Sequence, residues 1–233
     1  MTITALRRAL ATSALAALAG TALAQDQSGP NAGPATQATE SAVAQAALAQ
    51  QLYATGVARD DALTVLAAAR LAAGVTAEDG KREVTQQPIE GAPAGEEPDV
   101  ADLPAEAADM FAKARELAAG DDALLALIED AEAEGSRGRI GGAVRELSRL
   151  PGGYSDVYQI PYYGGVLAEI AIVGDGDSNL DVLVTDENGN TICYDVSYSD
   201  KVYCSWVPIW NGNFNVLVEN NGRTRNSYYL MTN

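Results

Sequence analysis

From Val166 onward the chain is divided at an even spacing by short clusters of glycine, asparagine and aspartate: GDGDSN (174–179), DENGN (186–190), NGN (211–213) and NNGR (220–223). Between them lie runs rich in β-branched and aromatic residues, at 166–173, 180–185, 191–196, 202–207, 213–219 and 227–232. Strands this short, starting at roughly eleven-residue intervals with turn residues between them, predict an antiparallel β-sandwich. Nine of the ten tyrosines and both tryptophans fall in 154–233, which puts the start of the β domain at Tyr154.

Before that point the pattern is helical. Residues 36–150 read as an α-helical region, with helices over 37–55, 60–73, 103–119 and 121–135 and a short one over 142–149. Asp60 and Asp61 suit a helix N-terminus, where a carboxylate meets free amides and the positive end of the dipole. Pro104 is tolerated in a first turn. The runs DDALTVLAAARLAAG (60–74) and DDALLALIEDAEAEG (121–135) resemble each other; either a hairpin was duplicated or two alanine-rich helices share a cap. Residues 75–101, acidic and rich in Pro and Gly, read as a linker or a long surface loop, and EGSRGRIGG (134–142) as a connector lacking the P-loop lysine. The expected class is α+β, multidomain, with a jelly-roll-like sandwich over 154–233.

The first 24 residues have the form of a secretory signal peptide. Arg7 and Arg8 precede an apolar stretch, Ala9–Ala22, and ALAQ at 22–25 offers cleavage after Ala24. Residues 25–35 then read as a flexible start to the mature chain. The stretch is too short to span a bilayer, so the expectation is a periplasmic or secreted protein with no membrane insertion. A net charge of -17 repels phosphate backbones and anionic surfaces, which argues against a nucleic-acid partner.

The chain contains no histidine. Ser-His and Cys-His nucleophile pairs and His-containing zinc sites are therefore excluded. The two cysteines, Cys193 and Cys204, are expected to form one disulfide in an oxidising compartment, across neighbouring strands of a hairpin. A two-thiolate metal site is the weaker alternative.

Asp175, Asp177, Asn179 and Asp181 form a D-x-D-x-N-x-D series, and oxygen ligands at alternate positions suit calcium. Asp and Asn are also the residues that cap turns with their own side chains. The expectation is principally a turn, with calcium as the only cofactor the sequence offers. DENGN reads as a hairpin turn, Asn188-Gly189 supplying positive φ. Glu169 and Asp181, placed on neighbouring strands, are the candidate carboxylate pair for a hydrolase. Aromatic residues offer the alternative, a binding surface. Tyr158, Tyr162, Tyr163 and Trp210 are taken as exposed rings able to stack on a sugar or a peptide, with Trp206 pointing inward beside Val202 and Cys204.

YYGGVLAEIAIVGDGDSNLDVLVTDENGN, then NGNFNVLVENN and the closing SYYLMTN, resemble the bacterial pre-peptidase C-terminal domain family. The matching elements are Leu180–Val184, Asp186–Gly189, Gly212–Val218 and Tyr228–Leu230, in the C-terminal third of the chain. The resemblance implies a secreted β-sandwich module related to collagen-binding domains. The functional expectation is a non-catalytic binding or accessory protein for a polysaccharide or an extracellular protein, with a carboxylate-dependent hydrolase and a structural envelope protein as alternatives.

Overall fold

A computed structural model describes residues 27–33, 41–93, 95, 103–134 and 140–233. The expected signal peptide and cleavage site lie outside these residues. Four helices, α1 (Ala42–Ala58), α2 (Ala62–Ala73), α3 (Ala107–Leu117) and α4 (Asp122–Glu134), accompany ten strands. The strands are β1 (Val75–Asp79), β2 (Val84–Pro88), β3 (Ile140–Leu150), β4 (Tyr154–Tyr162), β5 (Ala168–Gly174), β6 (Asp181–Thr185), β7 (Thr191–Asp195), β8 (Lys201–Trp206), β9 (Gly212–Asn220) and β10 (Asn226–Thr232). The class is α+β.

From Ile140 to Thr232 the chain is one long antiparallel ribbon rolled on itself. β3 pairs with β10, β4 with β9, β5 with β8 and β6 with β7. The tip of the ribbon is DENGN: Asp186 donates its amide to the Asn190 carbonyl at 3.0 Å, and Gly189 takes φ 81. Rolling the ribbon gives two five-stranded sheets, β1-β3-β10-β5-β8 and β2-β4-β9-β6-β7. Setting β1 and β2 aside, that order is a jelly roll. Alternation supplies the core, since Val182 and Val184 on β6, Phe214, Val216 and Val218 on β9, and Ile170 and Ile172 on β5 all turn inward and are buried.

Four segments differ from expectation. Tyr154–Tyr162, ahead of the first expected strand, is itself a strand, β4, paired with β9 along its whole length. The 75–101 stretch is not simply a linker, because β1 joins the first sheet in parallel with β3 and β2 joins the second beside β4. Residues 142–149 belong to a strand rather than a helix. AVRELSRL has helix-forming composition, but β3 pairs with β10 residue for residue from Leu150–Asn226 to Val144–Thr232, and tertiary pairing overrides local propensity. The segment expected to be a flexible start is instead docked over 27–33. Asn31 is fully buried, and Gly33 donates its amide to the Val207 carbonyl at 2.8 Å.

The helices form a layer on the outside of the first sheet. Ala42, Val43 and Ala47 of α1 lie against Ala171, Val173 and Met231, and the small alanines let helix and sheet approach closely. Val65, Met110, Phe111 and Ile128 form the core among α2, α3 and α4. Asp61 caps α2 by accepting from the Leu63 and Thr64 amides, and Asp121 caps α4 by accepting from Ala123 and Leu124. In the aligned DDAL motifs these are the second and the first aspartate respectively. The caps are out of register, which favours shared composition over duplication. Pro104 stands ahead of α3 rather than in its first turn.

The Cys193–Cys204 disulfide is present, with a Cα–Cα distance of 6.2 Å, but it is not a rung within one sheet. β7 and β8 are edge strands of opposite sheets, so the bond clasps the two layers together at their open side, where they come closer than the ~10 Å of stacked sheets. Closing a loop of this size is worth roughly 3 kcal/mol on chain-entropy grounds. The Cys193→Ala/Cys204→Ala double variant is expected to lose about that much stability in a denaturant titration. An unchanged midpoint would mean the clasp is redundant.

Candidate functional site

β4 decides the fate of three of the expected binding aromatics. From Asp156 to Tyr162 its even-numbered residues face the core, so Tyr158 and Tyr162 are buried, while Tyr163, just past the strand and of opposite parity, is 75% exposed. The Tyr158 hydroxyl lies 2.9 Å from that of Tyr228, which donates to buried Asp156 at 2.8 Å. Burial pushes the Tyr158 hydroxyl up to about 12 and raises Tyr228 well above its ordinary value. Tyr162 donates to the Glu169 carbonyl and meets Trp206 and Phe214 edge-on, at centroid distances of 5.2 and 5.8 Å. These rings hold the core.

Trp210, expected at the surface, is also buried. The inward alternation of Trp206 and Pro208 continues through it. Asn31 plugs the same corner: its side-chain oxygen accepts from the Ile209 and Trp210 amides at 2.8 and 3.0 Å, and its nitrogen donates to the Trp210 carbonyl at 3.1 Å. The Asn31 amide donates to Asp186 at 2.9 Å. Burial pushes the Asp186 carboxyl up, but bonds from Asn190, Asn31 and Asn188 outweigh it and hold the group below its ordinary range. A Cβ on Gly212 would come within 2.7 Å of Glu187 Oε2 and 2.8 Å of Asn31 Nδ2, so a larger residue there would have to displace both side chains. Of the expected binding set, Tyr163 alone remains at the surface, beside Pro161, Asn211 and Asn213.

The acidic series is used as a turn. Asp175 accepts from the Asp177 amide at 3.0 Å and from the Ser227 amide at 2.7 Å. Asn179 and Asn221 each donate to Asp181, at 2.9 and 3.0 Å. Asp175, Asp177 and Asp181 do not converge, and among the described residues no three carboxylate or thiolate side chains gather closely enough to hold an ion. Glu169 and Asp181 do not form a pair either. β5 and β6 lie in opposite sheets because the ribbon crosses over between them, and Glu169 is buried, accepting from Ser41 and from Tyr203.

The surface that stands out is the outer face of the second sheet. Among the described residues no helix packs on it. Across four strands Val157, Leu217, Leu183 and Tyr194 stand in one register row, at the ~4.8 Å spacing of neighbouring strands. Tyr194 and Val196 are about two-thirds exposed, at 68% and 67%. With Thr191, Asp181 and Glu219 they border a groove of about 460 Å³. Asp181 and Glu219 are directly opposed on β6 and β9, an arrangement of like charges that costs stability. One signal in the sequence marks this face: Leu183 and Leu217 occupy outward positions of strands whose other outward residues are polar.

No protein-family model matches the chain, and no curated protein matches it. Among solved structures it is similar to the pre-peptidase C-terminal domain of a collagenase from Bacillus anthracis. The two are 17% identical over 40% of this chain and 91% of that one, with a TM-score of 0.34. This is a weak resemblance of fold alone. No helix among the described residues is long and apolar enough to cross a membrane, and the disulfide is compatible with an extracytoplasmic location.

Proposed function

We propose that the protein is an exported, non-catalytic binding module of the periplasm or extracellular medium, and that the open face of the second sheet holds a neutral polysaccharide. The observation that carries this is the groove along Leu183, Leu217 and Tyr194. An apolar floor with one aromatic ring matches the C–H faces of a sugar. The opposed Asp181 and Glu219 carboxylates supply acceptors for hydroxyl groups, which accounts for placing like charges face to face. The large negative charge of the chain disfavours polyanionic glycans.

Binding to a panel of neutral glycans tests the proposal. Tyr194→Ala is expected to weaken binding by about tenfold or more, the scale of one aromatic anchor, while changing stability by no more than about 0.5 kcal/mol, as for other exposed positions. Trp210→Ala, by contrast, should act through loss of folding. Equal affinities for wild type and Tyr194→Ala would remove the groove from the account.

A further inference from the structure

A second recess lies on the opposite side of the molecule, between the helical layer and the first sheet. Its volume is about 250 Å³, just under the ~300 Å³ at which small-molecule sites begin. The walls are built from alanine: Ala46 and Ala49 of α1, Ala72 and Ala73 of α2, Ala77 of β1, and Ala105 ahead of α3. Side chains this short leave the space open where larger ones would close it. Gln50 holds one side in place by donating to the Ala105 carbonyl at 2.7 Å.

The polar end of the recess is a single ion-paired group. Arg145 on β3 lies over the Tyr229 ring, 4.8 Å from its centroid. Its guanidinium donates to Asp79 at 2.8 Å and to Glu106 at 2.7 Å. Two carboxylates against one guanidinium leave an excess negative charge at the mouth, and the guanidinium is engaged by both. An anionic ligand would meet that excess. A cationic head group would be attracted by it, with its body against the alanines.

We propose that this recess binds a small primary amine with a compact apolar body, its ammonium group at Glu106 and Arg145's other carboxylate partner, Asp79. The probe is phenethylamine, compared by protein-observed NMR with its carboxylate counterpart phenylpropionate and its neutral counterpart phenethyl alcohol, on the full chain. The amine is expected to bind and to shift the resonances of Ala46, Ala105 and Tyr229, and the carboxylate is not. Ala46→Leu fills the recess and should abolish binding. Ala105→Leu fills it from the other wall and serves should the first variant fail to fold. Glu106→Gln should weaken the amine by about fivefold, the scale of one exposed charge contact, and leave the alcohol unchanged. Phenylpropionate binding as tightly as the amine, a folded leucine variant that still takes up the amine, or no binding of the amine at all would overturn the proposal.

Discussion

A fragment of residues 154–233 is expected to remain unfolded in water. The sandwich draws β1, β2 and β3 from the chain before Tyr154. Without β3, the whole length of β10 loses its partner on one side, and Leu150 leaves the core. Truncating one buried leucine typically costs ~2–5 kcal/mol. The same cut strips the buried Asp156 carboxylate of Ser148 and Gln86, which donate to it at 2.6 and 2.9 Å. Asp156 keeps only the Tyr228 hydroxyl, and leaving the rest of its buried acceptor capacity unsatisfied costs a further ~1–3 kcal/mol. Together these losses approach the ~5–15 kcal/mol by which a domain is stable. Circular dichroism of the fragment should show no sheet signal and no cooperative denaturant transition. A cooperative transition in 154–233 would mean that the strands from the N-terminal half are ornaments on an independent domain.

Alkaline pH is expected to unfold the protein abruptly. Tyr158, Tyr162 and Tyr228 are buried in the sandwich, and burial raises all three hydroxyls, Tyr158 to about 12. In the unfolded chain a tyrosine ionises near ~10. The folded form therefore holds its protons more tightly than the unfolded one. The resulting stability is fully present below pH ~10 and is lost as the pH rises toward the folded value. A shift of two units corresponds to roughly 2.7 kcal/mol, so Tyr158 alone removes a large share of ordinary stability, and the other two act in the same direction. Ionised Tyr228 would also face Asp156 at 2.8 Å. Tyrosinate absorbance and circular dichroism should be followed together in a pH titration. Part of the absorbance is expected to emerge in the same cooperative step that destroys the sheet signal. Complete ionisation with the sheet intact would show that the buried hydroxyls are accessible.

What could be read from the sequence was what local chemistry determines. The six strands from β5 to β10 are marked by alternation and by their turns, and DENGN makes its turn with its own residues. The α2 cap follows from Asp61 in the same way. What could not be read is set at a distance. β3 has helix-forming composition and becomes a strand only because β10 lies beside it, and β1 and β2 are edge additions whose sequences carry little β signal. The positions of the aromatic residues are hidden in the sequence for a different reason. An exposed and a buried tyrosine look alike in composition, and parity along β4 separates Tyr163 from Tyr158 and Tyr162 only once the strand is known. The disulfide was legible as a pair, whereas its span between sheets depends on where the ribbon folds over. The groove had a trace in the outward leucines, Leu183 and Leu217, and acquires meaning only when register sets them beside Tyr194.

The claim that the open face of the second sheet binds glycans is tested most directly by mapping where a ligand lands. Backbone amide spectra of the protein would be recorded with cellohexaose, maltohexaose and chitohexaose in turn. At least one of these neutral oligosaccharides is predicted to shift Leu183, Thr191, Tyr194 and Leu217 together, with the first sheet and the helices unmoved. Shifts confined to the Tyr163 corner or to the alanine-lined recess, or none with any of the three, would contradict it.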